Sequence, residues 1–217
     1  MLTKTIQVNN PNTAVLGLGL PTLLSDNGQP LIKTADADGI TLSGPMLEAG
    51  AVESGVLVEV GSHGSTANHA SNPIALHGLF SRICLAQAGR VGIALSLNSN
   101  NTIVDHTWFR RADHGNGVGW TTNLSANGLW VNGNDVTFMH CSPTTSSSNR
   151  SCGTAKGRLY FYQSELPYDP PSQSAWNSLT GNGYASYEVA DGMTSHEAWG
   201  LGVYSLHQRP NLRRSSH

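Results

Sequence analysis

Asn134-Asp135-Val136-Thr137 (NDVT) is a polar turn that meets an apolar residue and opens a short alternating strand. The phrase recurs at Asp38-Gly39-Ile40-Thr41, Asn101-Thr102-Ile103-Val104 and Asp191-Gly192-Met193-Thr194. Aligned on Ile40, Ile103, Val136 and Met193, the spacings are 63, 33 and 57. These are close to two, one and two multiples of about 30, a period expected of stacked repeats. Other strand-like runs at residues 54–62, 75–86, 90–99, 128–133 and 158–165 are short and punctuated by Gly, Asn, Asp or Pro. Asn and Gly suit turns that need left-handed backbone, and each coil of such a chain buries its face against its neighbours. The expected fold is therefore an all-β solenoid in which turn asparagines can stack into a ladder. A β-sandwich with irregular loops is the alternative.

Composition agrees. The 217 residues suit one domain, 1–217, and 24 glycines with few helix-favouring runs point to turns and strands. A net charge of −2 gives no basic field, so neither nucleic acid nor an anionic membrane is expected as principal partner. The basic tail within residues 206–217 reads as solvated. No apolar run reaches the roughly 20 residues that span a bilayer. The N-terminus lacks a signal peptide's apolar core, so no export signal of the chain's own is expected. Cys84, Cys141 and Cys152 lack metal-type spacing. A Cys141–Cys152 bridge and free buried thiols both remain open. His106 and His114 have no third ligand nearby, so no metal site is expected.

Longer stretches carry a resemblance. NNTIVDHTWFRRADHGNGVGW (100–120), GLWVNGNDVT (128–137), YFYQSELPYDPPSQSAW (160–176) and NGYASYEVADGMTSHEAWGLGVYS (182–205) resemble a family of large secreted actinobacterial and fungal proteins. Its members are often labelled as coagulation factor 5/8 type domain proteins or as adenylyl cyclases. The resemblance implies a right-handed parallel β-helix of the pectin-lyase-like type, here a truncated portion of a larger one. It also implies an extracellular setting and a polysaccharide partner. A truncated solenoid would expose strand edges and tend to self-associate through its ends. Two segments depart from the family. Residues 139–157 include a Ser/Thr-rich run that should not form a buried rung, and residues 206–217 replace the family sequence. Both read as a divergent insert and tail or as reading-frame slips, which resequencing of the source DNA separates.

A β-helix groove presents side chains of successive coils about 4.8 Å apart, which matches an extended polymer. Sugars need aromatic platforms and carboxylates at the scissile bond. WFRRADHGNGVGW (108–120) concentrates both in a chain only 12% charged. Asp105, Asp113, Glu165, Asp169 and Glu197 are the candidate carboxylates; Trp108, Trp120, Tyr168, Trp176 and Trp199 are the candidate platforms. In the repeat alignment His106 and His196 share a slot and should face one groove. For a glycoside hydrolase, Asp113 is expected as one catalytic carboxylate and Asp105 or Glu197 as the other. Arg111 and His114 would hold charge or bind hydroxyls, and Glu165 and His196 complete the substrate contacts. The competing view makes ADHG (112–115) a plain turn, with Arg111 in a surface ion pair.

A polysaccharide lyase would use Arg110, Arg111 and a histidine base, with calcium at Asp105 or Asp113. It ranks second because no dense acidic cluster appears; a hydrolase needs no cofactor. SELPYDPPSQSAW (164–176) is proline-stiffened and either walls the groove or packs across a coil. HEAWGLG (196–202) is not a zinc motif, since Gly200 stands where a second His is required. A non-catalytic glycan-binding β-helix or inactive remnant is the reading from another class. Loss of activity in Asp113→Asn and Glu197→Gln would separate the two.

Overall fold

A computed structural model describes residues 4–83, 88–113, 115, 117–144, 152–153, 156–167, 170–178 and 181–204. Short runs such as Leu57, Val58 and Val60 or Ala94, Leu95 and Leu97 alternate enough to bury one face of a strand. The chain uses them in two stacks. One sheet contains β1 (Ile6–Val8), β4 (Ile32–Thr34), β7 (Ser54–Val60), β10 (Val91–Leu97), β12 (Ser125–Val131), β14 (Cys152–Gly153) and β16 (Glu188–Val189), in that order. The other contains β2 (Ala14–Leu16), β5 (Thr41–Ser43), β8 (Ala75–His77), β11 (Ile103–Arg111), β13 (Val136–Thr144), β15 (Lys156–Glu165) and β17 (Ser195–Tyr204). β3 (Thr22–Ser25), β6 (Met46–Ala49) and β9 (Phe80–Ile83) pair alongside and join the second stack through the C-terminal half of β11.

All strand pairs are parallel, which removes the sandwich alternative: its antiparallel pairs are not found among the described strands. The chain passes from one stack to the other and returns one layer higher. Leu31, Ile40, Leu42, Ile74, Leu76, Leu95 and Val104 lie fully buried between the stacks. Each such side chain contributes about 1.5–3 kcal/mol relative to exposure.

Ala14, Thr41, Ala75, Ile103, Thr137, Arg158 and Glu197 form one in-register row. The repeat spacings therefore count the coils correctly. Their registration is corrected: Ile103 lies beside Thr137 rather than Val136, and Glu197 rather than Met193 completes the row. Coils of unequal length shift the register whenever a loop grows. Asparagine stacking occurs in part, with Asn132 donating to Asn98 at 2.7 Å and Asn72 to Asn12 at 2.7 Å.

One corner recurs through the second stack. Gly44 and Gly78, with φ of 80° and 56°, separate β5 from β6 and β8 from β9. In the later coils the strand runs through, and His106, His140, Phe161 and Gly200 occupy the corner with φ of 48°, 54°, 57° and 70°. Flanking registers Asp105↔Met139↔Tyr160↔Trp199 place these four residues in one column.

The expectation that residues 139–157 cannot build a rung fails at their start. β13 continues to Thr144 and pairs on both sides, with Cys141 buried. Only inward positions must be apolar, and Phe138 and Cys141 meet that need. Cys141 is a free thiol rather than half of a bridge, and burial pushes it up to about 12 against a Thr107 hydrogen bond that opposes the shift. Cys84, residues 145–151 and 154–155, and the tail 206–217 lie outside the described residues.

Candidate functional site

Strand parity decides which charged residues reach the groove. From Ile103 onward side chains should alternate, but the left-handed corner at His106 turns Asp105 and His106 outward together. That left-handed residue resets the alternation without adding a residue to the strand. Trp108 and Arg110 then face out, while Thr107, Phe109 and Arg111 face in.

Arg111 is thus corrected from groove residue to buried strut. It donates from Nε to Asn123 O at 2.9 Å and from Nη2 to Gly119 O at 3.0 Å, under the Trp120 ring at 5.9 Å. Asn123, itself fully buried, donates to Ala112 O at 2.8 Å. These contacts fix the loop after β11. Trp120 accordingly packs on Arg111 rather than standing free as a platform.

The outer face of the second stack carries polar groups at three levels. At the N-terminal level, Glu197 faces Arg158 Nε at 3.5 Å, beside Asp135, Lys156 and Ser195. At the corner, Asp105 is surrounded by His77, His106 and His140. His106 stacks on His140 with centroids 4.6 Å apart, and His140 on Phe161 at 5.2 Å. Tyr160 and Trp199 stack beside them at 4.9 Å.

At the C-terminal level, Arg110 Nη2 bonds Asp113 Oδ1 at 3.1 Å, and the guanidinium carbon lies 5.9 Å from the Trp108 ring centre. Arg110, Thr144 and Glu165 are in register on adjacent strands. Tyr204 donates to Glu165 and accepts from Gln163 Nε2 at 3.2 Å; the Glu165 carboxylate raises the Tyr204 phenol above its ordinary value. A hollow of about 500 Å³, lined in part by His140, Ser142, Phe161, Gln163 and Tyr204, joins this level to the corner.

The structure therefore brings together Trp108, Asp113 and Glu165 and leaves Asp105 and Glu197 apart from them. Asp105 lies across the left-handed corner at His106 from Arg110, and Glu197 sits at the opposite strand end. His196 is also corrected. It points inward, where Tyr187 Oη meets its Nε2 and burial lowers its basicity; it shares no row with His106. The row partner of His106 is His140, one coil later, inside the segment whose sequence looked foreign. Trp176 stacks in its own loop against Tyr184 at 6.5 Å, so that loop closes on itself. Trp199 is exposed on the face, as a platform requires. His114, Tyr168 and Asp169 lie outside the described residues.

Residues 1–165 match the LAM55 pectate lyase-like domain. The chain belongs to this family. An exo-beta-1,3-glucanase of Streptomyces sp. (strain SirexAA-E / ActE) is 42% identical over 212 residues, covering 96% of this chain and 35% of that protein. The solved structure of sacteLam55A from Streptomyces sp. SirexAA-E shares 41% identity, with a TM-score of 0.87 over 92% of this chain and 36% of its own. A variant of sacteLam55A in complex with glucose gives a TM-score of 0.86 at 40% identity, again over 92% of this chain and 36% of its own. The LAM55-type chain described here spans about a third of the length of these relatives.

Proposed function

We propose that this chain is part of an extracellular glycoside hydrolase that cleaves a β-1,3-glucan on a right-handed parallel β-helix. The observation that carries the reading is the C-terminal level of the groove, where Trp108, Arg110, Asp113 and Glu165 gather in a chain 42% identical to an exo-beta-1,3-glucanase. Right-handedness is the expected sense for parallel strands joined by crossovers. The glucose complex of a relative supports a saccharide as the ligand.

In this reading Trp108 receives an apolar sugar face. Arg110 fixes the direction of the Asp113 oxygens and offsets their charge, so Asp113 acts as the base that draws a proton from water. Glu165 acts as the acid that protonates the departing glycosidic oxygen. β-Elimination has less support, because Arg111 is committed to loop carbonyls.

Incubation with a soluble β-1,3-glucan tests the reading. The protein should release glucose, and Asp113→Asn or Glu165→Gln should abolish release while Glu197→Gln retains it; NMR of the anomer formed first reads inversion or retention. Unsaturated products, or full activity in both of the first two variants, would overturn it.

A further inference from the structure

Asp105, His106 and His140 meet at the corner of two successive coils, away from the carboxylates assigned to glucan cleavage. The Nδ1 of His106 lies 2.6 Å and that of His140 4.0 Å from Asp105 Oδ1. The three donor atoms all fall within 4.8 Å of one another. Asp105 Oδ1 is buried, yet it has no hydrogen-bond partner despite its closeness to His106. The short contact therefore lacks the direction of an N–H···O bond, and a cation bound by both atoms would satisfy the buried carboxylate oxygen. On the other side, His77 Nδ1 lies 3.9 Å from Asp105 Oδ2.

Backbone conformation explains how the donors come together. His106 and His140 hold φ of 48° and 54° at a position that earlier coils fill with glycine. Left-handed backbone at residues other than glycine stores about 1–3 kcal/mol and clusters at functional sites. Here it turns Asp105 and His106 outward together and places His140 directly above His106.

We propose that Asp105, His106 and His140 bind a divalent transition metal ion of the zinc type. Imidazole nitrogens with a single carboxylate favour such an ion over calcium or magnesium, which prefer sets of oxygens. Two ligands on one zinc ion at about 2.0–2.1 Å lie at most about 4.2 Å apart. Both contacts to Oδ1 fall inside that limit, and both imidazoles are exposed and free to turn toward a bound ion. The bound ion would tie β11 to β13.

The test uses the full chain stripped with a chelator, titrated with zinc ion alone by calorimetry and then with cobalt(II) as an absorbing substitute. One equivalent should bind, calcium should not displace it, and cobalt should give a ligand-field spectrum with imidazole character. His106→Gly and His140→Gly suit the left-handed backbone, so both variants should stay folded by circular dichroism. Each should weaken zinc binding by about a hundredfold or more, whereas His63→Ala, at an exposed position elsewhere, should leave it unchanged. No stoichiometric binding, or equal binding by the double glycine variant, would overturn the proposal. Because no substrate is present, glucan cleavage and metal binding stand or fall separately.

Discussion

The early coils and the late coils solve the same corner differently. Through β9, the chain breaks each pass at Gly44 or Gly78 and buries a plain aliphatic stack. From β11 on, the strand runs through the corner, and His106, His140 and Phe161 take the glycine position. Trp108, Phe161, Trp199 and Tyr204 then stand exposed on that face. One fold position is thus left empty in the early coils and loaded with rings in three successive later ones, before Gly200 returns it to glycine. Packing concentrates in the first region and chemistry in the second.

Four substitutions test that division. Glu165→Gln should lower glucan hydrolysis by about 10²–10⁴-fold, the usual contribution of a general acid, with an unchanged melting temperature. Comparable loss of stability would place Glu165 among structural groups. Leu76→Ala, at a fully buried early position, should lower stability by about 2–5 kcal/mol in denaturant unfolding. Its rate per folded molecule should stay at the wild-type level; a matching fall in rate would erase the contrast between regions.

The third concerns the buried His69 of the early half, whose ring bonds Asp38 at 2.7 Å and Asp36 at 3.0 Å. Burial opposes its protonated form, but the two carboxylates outweigh this and raise its pKa from 6.5. Burial likewise opposes the Asp36 carboxylate, and hydrogen bonds from Ser65, Ser99 and His69 outweigh it and lower the pKa from 3.8. The His69 contribution is complete below its unfolded pKa and fades as pH rises through the folded value. The Asp36 contribution is complete above its unfolded pKa and fades as pH falls through the folded value. Melting temperature should therefore gain most from this network between about pH 4 and 6.5. His69→Gln should flatten the alkaline side of that curve; an unaltered profile would remove His69 from the account. The smallest effect is expected for Phe161→Gly, which relieves a left-handed aromatic residue while removing an exposed ring. Unfolding free energy in denaturant should change by less than about 1 kcal/mol in either direction; a large loss would make the ring stack a structural column after all.

The all-β character and the coil count were legible because turn residues and inward aliphatics repeat at each layer. Asn101 and Asp135 do adopt left-handed backbone, with φ of 53° and 55°, as their turn phrases imply. Register was less legible, since Thr137 to Arg158 and Arg158 to Glu197 are coils of different length. For the proposed site, residue type alone named Trp108, Asp113 and Glu165 as candidates, but the choice between Arg110 and Arg111 depends on the left-handed corner at His106, which no alternation pattern reveals. His140 carries a sequence signal, one coil after His106, but the unusual composition that follows it drew attention elsewhere.

Asp36 has a wider consequence. Its carboxylate gathers Ser65, His69 and Ser99, which lie 29, 33 and 63 residues along the chain. A stack of coils held only by nearest neighbours can melt one layer at a time. Here, peeling one layer would strand a buried carboxylate in the others, so these layers should unfold in a single cooperative step and exchange their amide hydrogens at one common rate.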